Sequence, residues 1–457
     1  MAMIRPARST RVSPRMPLLK KLFWLYFLLL IFEGALRKWV LPQYSAPLLL
    51  VRDPVALLII WEAYRTHKWP RQWSSVVGIL AAGILALCFV QMAAGENPWF
   101  VALYGLRSYL LPFPVAFIMG ENLDRDDLRK FGLCTLWLLL PLTALEVAQY
   151  YAPADSILNK GASLGTGQLA YAAGHVRASA TFSYVTGPMC YLPLATAFLF
   201  YGLAQANFAK KWLLWTASCA LVLSIPVIGS RTLVFELAAI LACVAVAALF
   251  GVSQFVKSLR MIMALLLVSL LVSRLPVFTE ATETLSMRFF QASQAEGNVE
   301  QSLLLRVGHP MTAALESSIS GNNWLGFGMG YGSNAIAKLL TGTQQSLAGE
   351  EEFPRVITEL GVPAGMAFML FRWLLALSIV SKALSRVREQ EPLAWLLVPS
   401  TFGTLVLGLM EQPTEQGFMV ISVAFSLVAL RLAPFPIGTA PALSQPWKPR
   451  TYRLGAR

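Results

Sequence analysis

Apolar runs long enough to cross a bilayer recur along this chain from residue 19 to residue 432, and nothing else in it constrains the fold as strongly. They lie at about 19–36, 47–63, 74–93, 99–119, 129–150, 185–205, 211–229, 232–251, 257–275, 356–381, 393–410 and 416–432. At about 1.5 Å of rise per residue, a run of about 20 residues spans the hydrocarbon core. The run at 47–63 is short and polar at its start. Only 13% of the 457 residues are charged, where a soluble protein carries about 25%. The sequence therefore predicts an all-α polytopic integral membrane protein of about twelve transmembrane helices.

The net charge of +13 could indicate nucleic acid, but most basic residues stand in short loops between apolar runs, as the positive-inside rule requires. Nucleic acid is not an expected partner. With both termini cytoplasmic, residues 1–18 form an N-tail and 19–275 hold helices 1–9, with an exterior loop at 151–184. A large exterior loop follows at 276–355, then helices 10–12 at 356–432 and a C-tail at 433–457. The arginines before residue 19 and the apolar run after them resemble a signal peptide. No small-residue cleavage site follows Phe32, so the run reads as a retained first helix. Cys88, Cys134, Cys190, Cys219 and Cys243 all fall inside apolar runs without ligand spacing, so neither a disulfide framework nor a metal site is expected.

Charges inside membrane helices are costly and usually functional. In this topology Glu33, Arg37, Lys38, Arg52, Asp53, Arg107, Glu146, Arg231, Glu236, Glu359, Glu411 and Glu415 fall in the outer half, and Arg372 is the clearest exception. Glu33, Arg37, Arg52 and Asp53 can pair to lock helices 1 and 2. Arg355 and Glu359 stand at i,i+4 spacing, which suits an ion pair at a helix start. Arg231 follows Gly229 and Ser230 with no carboxylate close by in sequence, which favours a ligand role.

Several stretches carry a family resemblance. They are Glu33-Gly-Ala-Leu-Arg37-Lys38-Trp39-Val-Leu-Pro42, Val51-Arg52-Asp53-Pro54 and Arg177-Ala-Ser-Ala-Thr181-Phe182. In the second half they are Arg306 with Leu325-Gly-Phe-Gly-Met-Gly330, and Glu352-Phe-Pro-Arg355-Val-Ile-Thr-Glu359-Leu-Gly361. In their order and placement the chain resembles the O-antigen ligase and polymerase-like superfamily, in particular its exopolysaccharide polymerase-like members. The resemblance implies a GT-C-like membrane glycosyltransferase of the bacterial inner membrane with its site facing the periplasm. It implies an undecaprenyl-pyrophosphate-linked oligosaccharide as substrate, no cofactor and no metal, with membrane lipids and a chain-length regulator as partners. The ligases of this family share a loop histidine shortly before the Glu-x-Gly turn. Here that place is Glu350, which favours polymerisation over ligation.

Transfer from a polyprenyl pyrophosphate builds negative charge on the leaving group, and arginine offers permanently charged bidentate donors to phosphate. Arg177, Arg231, Arg288, Arg306 and Arg355 are the candidate pyrophosphate ligands. An acceptor hydroxyl needs positioning and a base; Glu351, Glu352 and His309 are the candidates. The adjacent glutamates read equally as a solvated loop tip. Glycines 326, 328, 330 and 332 could form a phosphate nest or a plain turn. A ligase transferring glycan to another acceptor, and a polysaccharide flippase, are the competing readings.

Overall fold

The structure is a computed structural model that describes residues 16–70, 74–95, 97–162, 168, 175–205, 207–251, 276–296, 309–321, 323–341 and 351–432. The expected ninth span at 257–275, Arg306, Glu350 and the C-tail lie outside the described residues, and so do the side chains of Arg288 and His309. Every regular element described is helical: α1 (Met16–Ala35), α2 (Ser45–Leu48), α3 (Arg52–Arg65), α4 (Ser74–Ala93), α5 (Trp99–Leu110), α6 (Pro112–Asn122), α7 (Arg125–Tyr151), α8 (Thr186–Ala204), α9 (Lys211–Ile228) and α10 (Arg231–Leu249). Then come α11 (Pro276–Glu296), α12 (His309–Ser320), α13 (Asn334–Thr341), α14 (Glu352–Arg388), α15 (Leu393–Phe402) and α16 (Pro413–Arg431).

Among the described residues eight helices are long and apolar enough to cross a membrane, α5 and α6 counting together as one. A polytopic membrane protein is thus established, and the number of crossings rests on fewer helices than the sequence suggests. At 14 residues α3 is shorter than a full span. The exterior loop expected at 276–355 is not featureless, because α11, α12 and α13 lie within it.

Helix α16 forms the centre of the bundle, packing against α1, α6, α7, α8, α14 and α15. Its Ser422 and Ser426 are fully buried and find partners on α15, at 3.1 Å from Ser400 Oγ and 2.8 Å from Thr401 Oγ1. Hydroxyl pairs of this kind tie helices together where apolar packing has no hydrophobic drive. Aromatic side chains fill the space around it; Phe131 meets Trp24, Phe27 and Phe425.

The bundle has two chemically distinct ends. At one, α1 begins beside the N-cap of α7, where Lys20 bridges Asp124 and Asp127 at 2.8 and 2.5 Å. Arg125 there reaches Glu391, between α14 and α15. At the other end lie the close of α1, the starts of α3, α5, α14 and α16, and the glycine turn at 326–332.

The largest departure from the predicted topology is in α14. A single helix was expected to begin at 356, but helical structure begins at Glu352 and is broken at Gly361, which has φ 76° and ψ 170°. A Cβ on Gly365 would lie 2.9 Å from Ile357 Cδ1 and 3.1 Å from Ile357 Cα. An unbroken helix would hold residues eight apart about 12 Å from one another. The chain therefore reverses at Gly361, and the short segment 352–360 packs back against the long helix that follows. Only glycine holds that φ without strain, and a Cβ there would also strike Trp324 O at 2.2 Å.

Candidate functional site

The reversal at Gly361 explains the arginine that seemed misplaced. Folded back, Glu352 meets Arg372 directly. Arg372 also donates through Nε to Leu405 O at 2.7 Å and through Nη2 to Gly408 O at 2.9 Å. Arg355 donates to both oxygens of Glu352 at 2.9 and 3.0 Å, to Glu359 at 2.8 Å and to the Tyr109 hydroxyl oxygen at 3.1 Å. Glu359 in turn accepts from the Gly332 N–H at 2.7 Å, and Glu352 from the Met410 N–H at 3.2 Å. Both arginines are almost completely buried, and every guanidinium nitrogen of each is bonded.

This arrangement places two of the candidate site residues. Arg355, a candidate phosphate ligand, lies inside the first turns of α14 with each guanidinium nitrogen bonded to protein. Glu352 was a candidate base; its carboxylate already accepts four hydrogen bonds. Together they crosslink the two arms of α14 and the turn that follows α15. Glu351 stays exposed at the N-cap of α14. The glycine turn is likewise consumed: Phe327 N–H bonds Thr358 O at 2.9 Å, and Gln91 clamps it through Leu325 O at 2.6 Å and the Met329 N–H at 3.1 Å. Of the two readings of these glycines, nest or plain turn, the contacts shown are those of a turn held by protein, with the Gly332 N–H on the Glu359 carboxyl.

A second polar cluster adjoins the first. Glu33 accepts from Arg52 Nε at 3.1 Å and from Arg37 at 3.4 Å, and Asp53 accepts from Arg107 at 3.3 Å. Arg52 also donates to Pro413 O, and Arg107 to Glu411 O at 3.5 Å. The stretch from Gly408 to Pro413, between the π-helical residues Gly403–Leu407 and the body of α16, thus serves both clusters, with Gly408 and Met410 in one and Glu411 and Pro413 in the other. Helix α5 spans them too, giving Arg107 to one and Tyr109 to the other.

The clusters differ in one decisive respect. Arg52 Nη1, Arg107 Nε and Gln416 Nε2 are buried and have no hydrogen-bond partner among the described residues. These three side chains are 3%, 8% and 5% exposed. A buried donor left unpaired costs about 1–3 kcal/mol, more when charged, so three of them around one turn make this cluster the candidate anion site. The approach is close: a Cβ on Gly417 would lie 1.8 Å from Arg52 Nη1. Glu411 stands at the junction, and its carboxyl is raised above the ordinary range by burial, against the opposing pull of Arg355.

Two of the quoted sequence motifs meet at this end. Thr181 donates to Ile31 O at 2.6 Å and Arg37 to Ser183 Oγ at 2.8 Å. Lys38 Nζ donates to Ser179 Oγ at 2.5 Å and to Ala180 O at 3.2 Å. Burial pushes Lys38 down to about 7, and Arg37 adds to the effect. Arg177 is half-buried, with Nη2 3.9 Å from Met189 Sδ. Arg231, half-buried, opens α10 after the N-cap Ser230.

Arg107 and Glu411 carry charge at helix ends and were visible in the sequence without a role. Tyr109 and Gln416 gave no signal, being single polar residues in apolar or mixed stretches. Among the described residues no group of His, Cys, Asp and Glu has the arrangement to hold a metal ion. Fold and site together define a helical multi-pass membrane protein with a buried, arginine-rich polar centre at one end. No family model matches the chain, and no curated protein is significantly similar to it.

Proposed function

We propose that this chain is a membrane glycosyltransferase that polymerises lipid-pyrophosphate-linked oligosaccharide repeats. The observation that carries the reading is the set of unpaired buried donors on Arg52, Arg107 and Gln416 at one membrane end. A pyrophosphate at headgroup depth supplies the acceptor oxygens those donors lack, and a dehydrated site strengthens the attraction. The motif resemblance supports the same class, since two of its motifs contribute Arg52 and the neighbouring Glu33 and Arg37.

In this scheme an acceptor sugar hydroxyl attacks the anomeric carbon of the donor. The new C–O bond forms as the bond to the pyrophosphate oxygen breaks, and the lipid pyrophosphate leaves with the electron pair. Arg52 and Arg107 stabilise that developing charge, with Arg177, Arg231, Arg288 and Arg306 as further candidates. The hydroxyl proton passes to a carboxylate, for which Glu411 is the best placed, its raised pKa suiting a general base; Glu351 and His309 stand behind it. The site would face the periplasm, with both termini cytoplasmic in the inner membrane and a chain-length regulator alongside.

The test replaces Arg52 or Arg107 with Gln in producing cells, checks protein level in the membrane, and examines the glycans. Accumulation of single-repeat lipid-linked material outside is the expected result. Unpolymerised substrate trapped on the cytoplasmic face would mark a flippase instead. Full-length polymer lacking only attachment to its acceptor would mark a ligase. Wild-type polymer in both variants would remove this cluster from the reaction.

A further inference from the structure

A cavity of about 840 Å³ opens at the opposite end of the bundle, remote from the arginine centre. Its walls are the first turn of α7, the last turn of α8, the linker at 207–210 and the first turn of α9. That volume falls within the about 300–1,000 Å³ of ordinary ligand pockets. The chemistry of the lining is divided. Arg125, Arg129 and Lys211 bring positive charge against the single carboxylate of Asp126, while Leu214, Leu393 and Leu432 line the apolar part.

Two of the cations are held in place before any ligand arrives. Arg129 donates through Nε and Nη2 to Phe208 O and Asn207 O, at 3.2 and 2.8 Å. Arg125 bonds Glu391 at 3.0 Å, and the Tyr201 hydroxyl donates to the other oxygen of that buried carboxylate at 2.9 Å. Gln205 also lines the cavity, and its buried Nε2 has no hydrogen-bond partner among the described residues. The 27-residue α7 and the 18-residue α9 both start here, so their positive dipole ends add to the field. Trp212 and Trp215 stand about half exposed on the first turn of α9, as indoles do at headgroup level.

A site with cations and an unpaired amide at the rim and leucines within matches a phosphodiester carrying acyl chains. We propose that this cavity holds the headgroup of an anionic phospholipid from the leaflet at that end, bound by Arg129, Lys211 and Gln205. The site would anchor the α7–α9 corner in the bilayer, independently of the chemistry at the arginine centre.

The experiment uses the full-length protein purified in a neutral detergent. Phosphatidylglycerol, phosphatidylcholine and inorganic phosphate are added separately, with melting temperature and native mass spectrometry as readouts. Two variants accompany the wild type: Lys211→Glu, which reverses one charge, and Ala209→Trp, which fills space without changing charge. Phosphatidylglycerol should raise the melting temperature and leave a retained adduct, with phosphatidylcholine and phosphate both weaker. Lys211→Glu should lower phosphatidylglycerol retention about fivefold or more, the loss expected from one basic contact to an anionic surface, and Ala209→Trp should lower it by occupying the space the headgroup needs. Equal retention of the two lipids, or undiminished adduct in both variants, overturns the proposal. A shift by inorganic phosphate as large as that by the lipid overturns the lipid assignment in favour of a soluble anion.

Discussion

Replacing Glu352 by Gln tests whether the fold-back of α14 is held by charge. The Glu352 carboxylate accepts two hydrogen bonds from Arg355, one from Arg372 and one from the Met410 N–H. The amide keeps the shape, removes the charge and turns an NH2 toward guanidinium donors. Breaking one buried ion pair costs about 3–5 kcal/mol, because the remaining charge is left uncompensated. Here two guanidinia share the carboxylate, so the lower limit is about 3 kcal/mol. At about 2–4 °C per kcal/mol for larger domains, the melting temperature should fall by roughly 6–20 °C. The assay is thermal unfolding in detergent, followed by intrinsic fluorescence and by monodispersity on size exclusion. Glu389→Gln is the control: its partner Arg386 and it form a pair in which Glu389 is half exposed, and such pairs contribute about 0–1 kcal/mol. Adding Arg372→Leu to Glu352→Leu should recover part of the loss, because one stranded charge is gone. If Glu352→Gln melts with Glu389→Gln, charge does not hold the reversal and the reasoning fails.

Gly417→Ala should expel Arg52 from its place against Glu33 and Pro413, lowering polymer formation while costing about 1–3 kcal/mol of stability; glycan analysis beside melting curves checks it. Gly105→Ala should destabilise, since its Cβ would lie 2.5 Å from Gly330 N, whereas Gly83→Ala meets nothing within 4 Å and should be neutral or slightly stabilising. Lys38 gives a pH signature. Its pKa falls from an unfolded value near 10.5 to about 7 in the fold, so folding disfavours the protonated form. That penalty is complete below pH 7 and fades as pH rises toward 10.5, by about 1.4 kcal/mol per unit at most. Wild-type protein should therefore gain melting temperature between pH 7 and 9 relative to Lys38→Met, and parallel profiles would count against a neutral Lys38.

The membrane character and the gathering of charge at one end were legible because hydrophobic length and buried charge are local properties. Partner choice was not. Arg355 and Glu359 do stand at a helix start and pair, as their spacing suggested, yet the same spacing said nothing of Tyr109 or Arg372. The reversal at Gly361 was hidden because Glu-Leu-Gly-Val-Pro lies within a stretch that also reads as a continuous span. Only the backbone shows that the glycine adopts a positive φ, and that one dihedral moves Glu352 from an exterior loop to the depth of Arg372. The candidate anion site was half visible: its arginines carried charge, but which donors remain unpaired depends on distances that no spacing encodes.

The folded-back segment also bears on how the chain enters a bilayer. Glu352 and Glu359 on the short arm match Arg355 on the same arm and Arg372 on the long one, so the four side chains together carry no net charge. Neither arm is neutral alone: the short one is negative by one and the long helix presents a bare guanidinium. The economical route into lipid is therefore as a pre-closed hairpin, with Gly361 at its bend, so that these four charges enter the bilayer already paired.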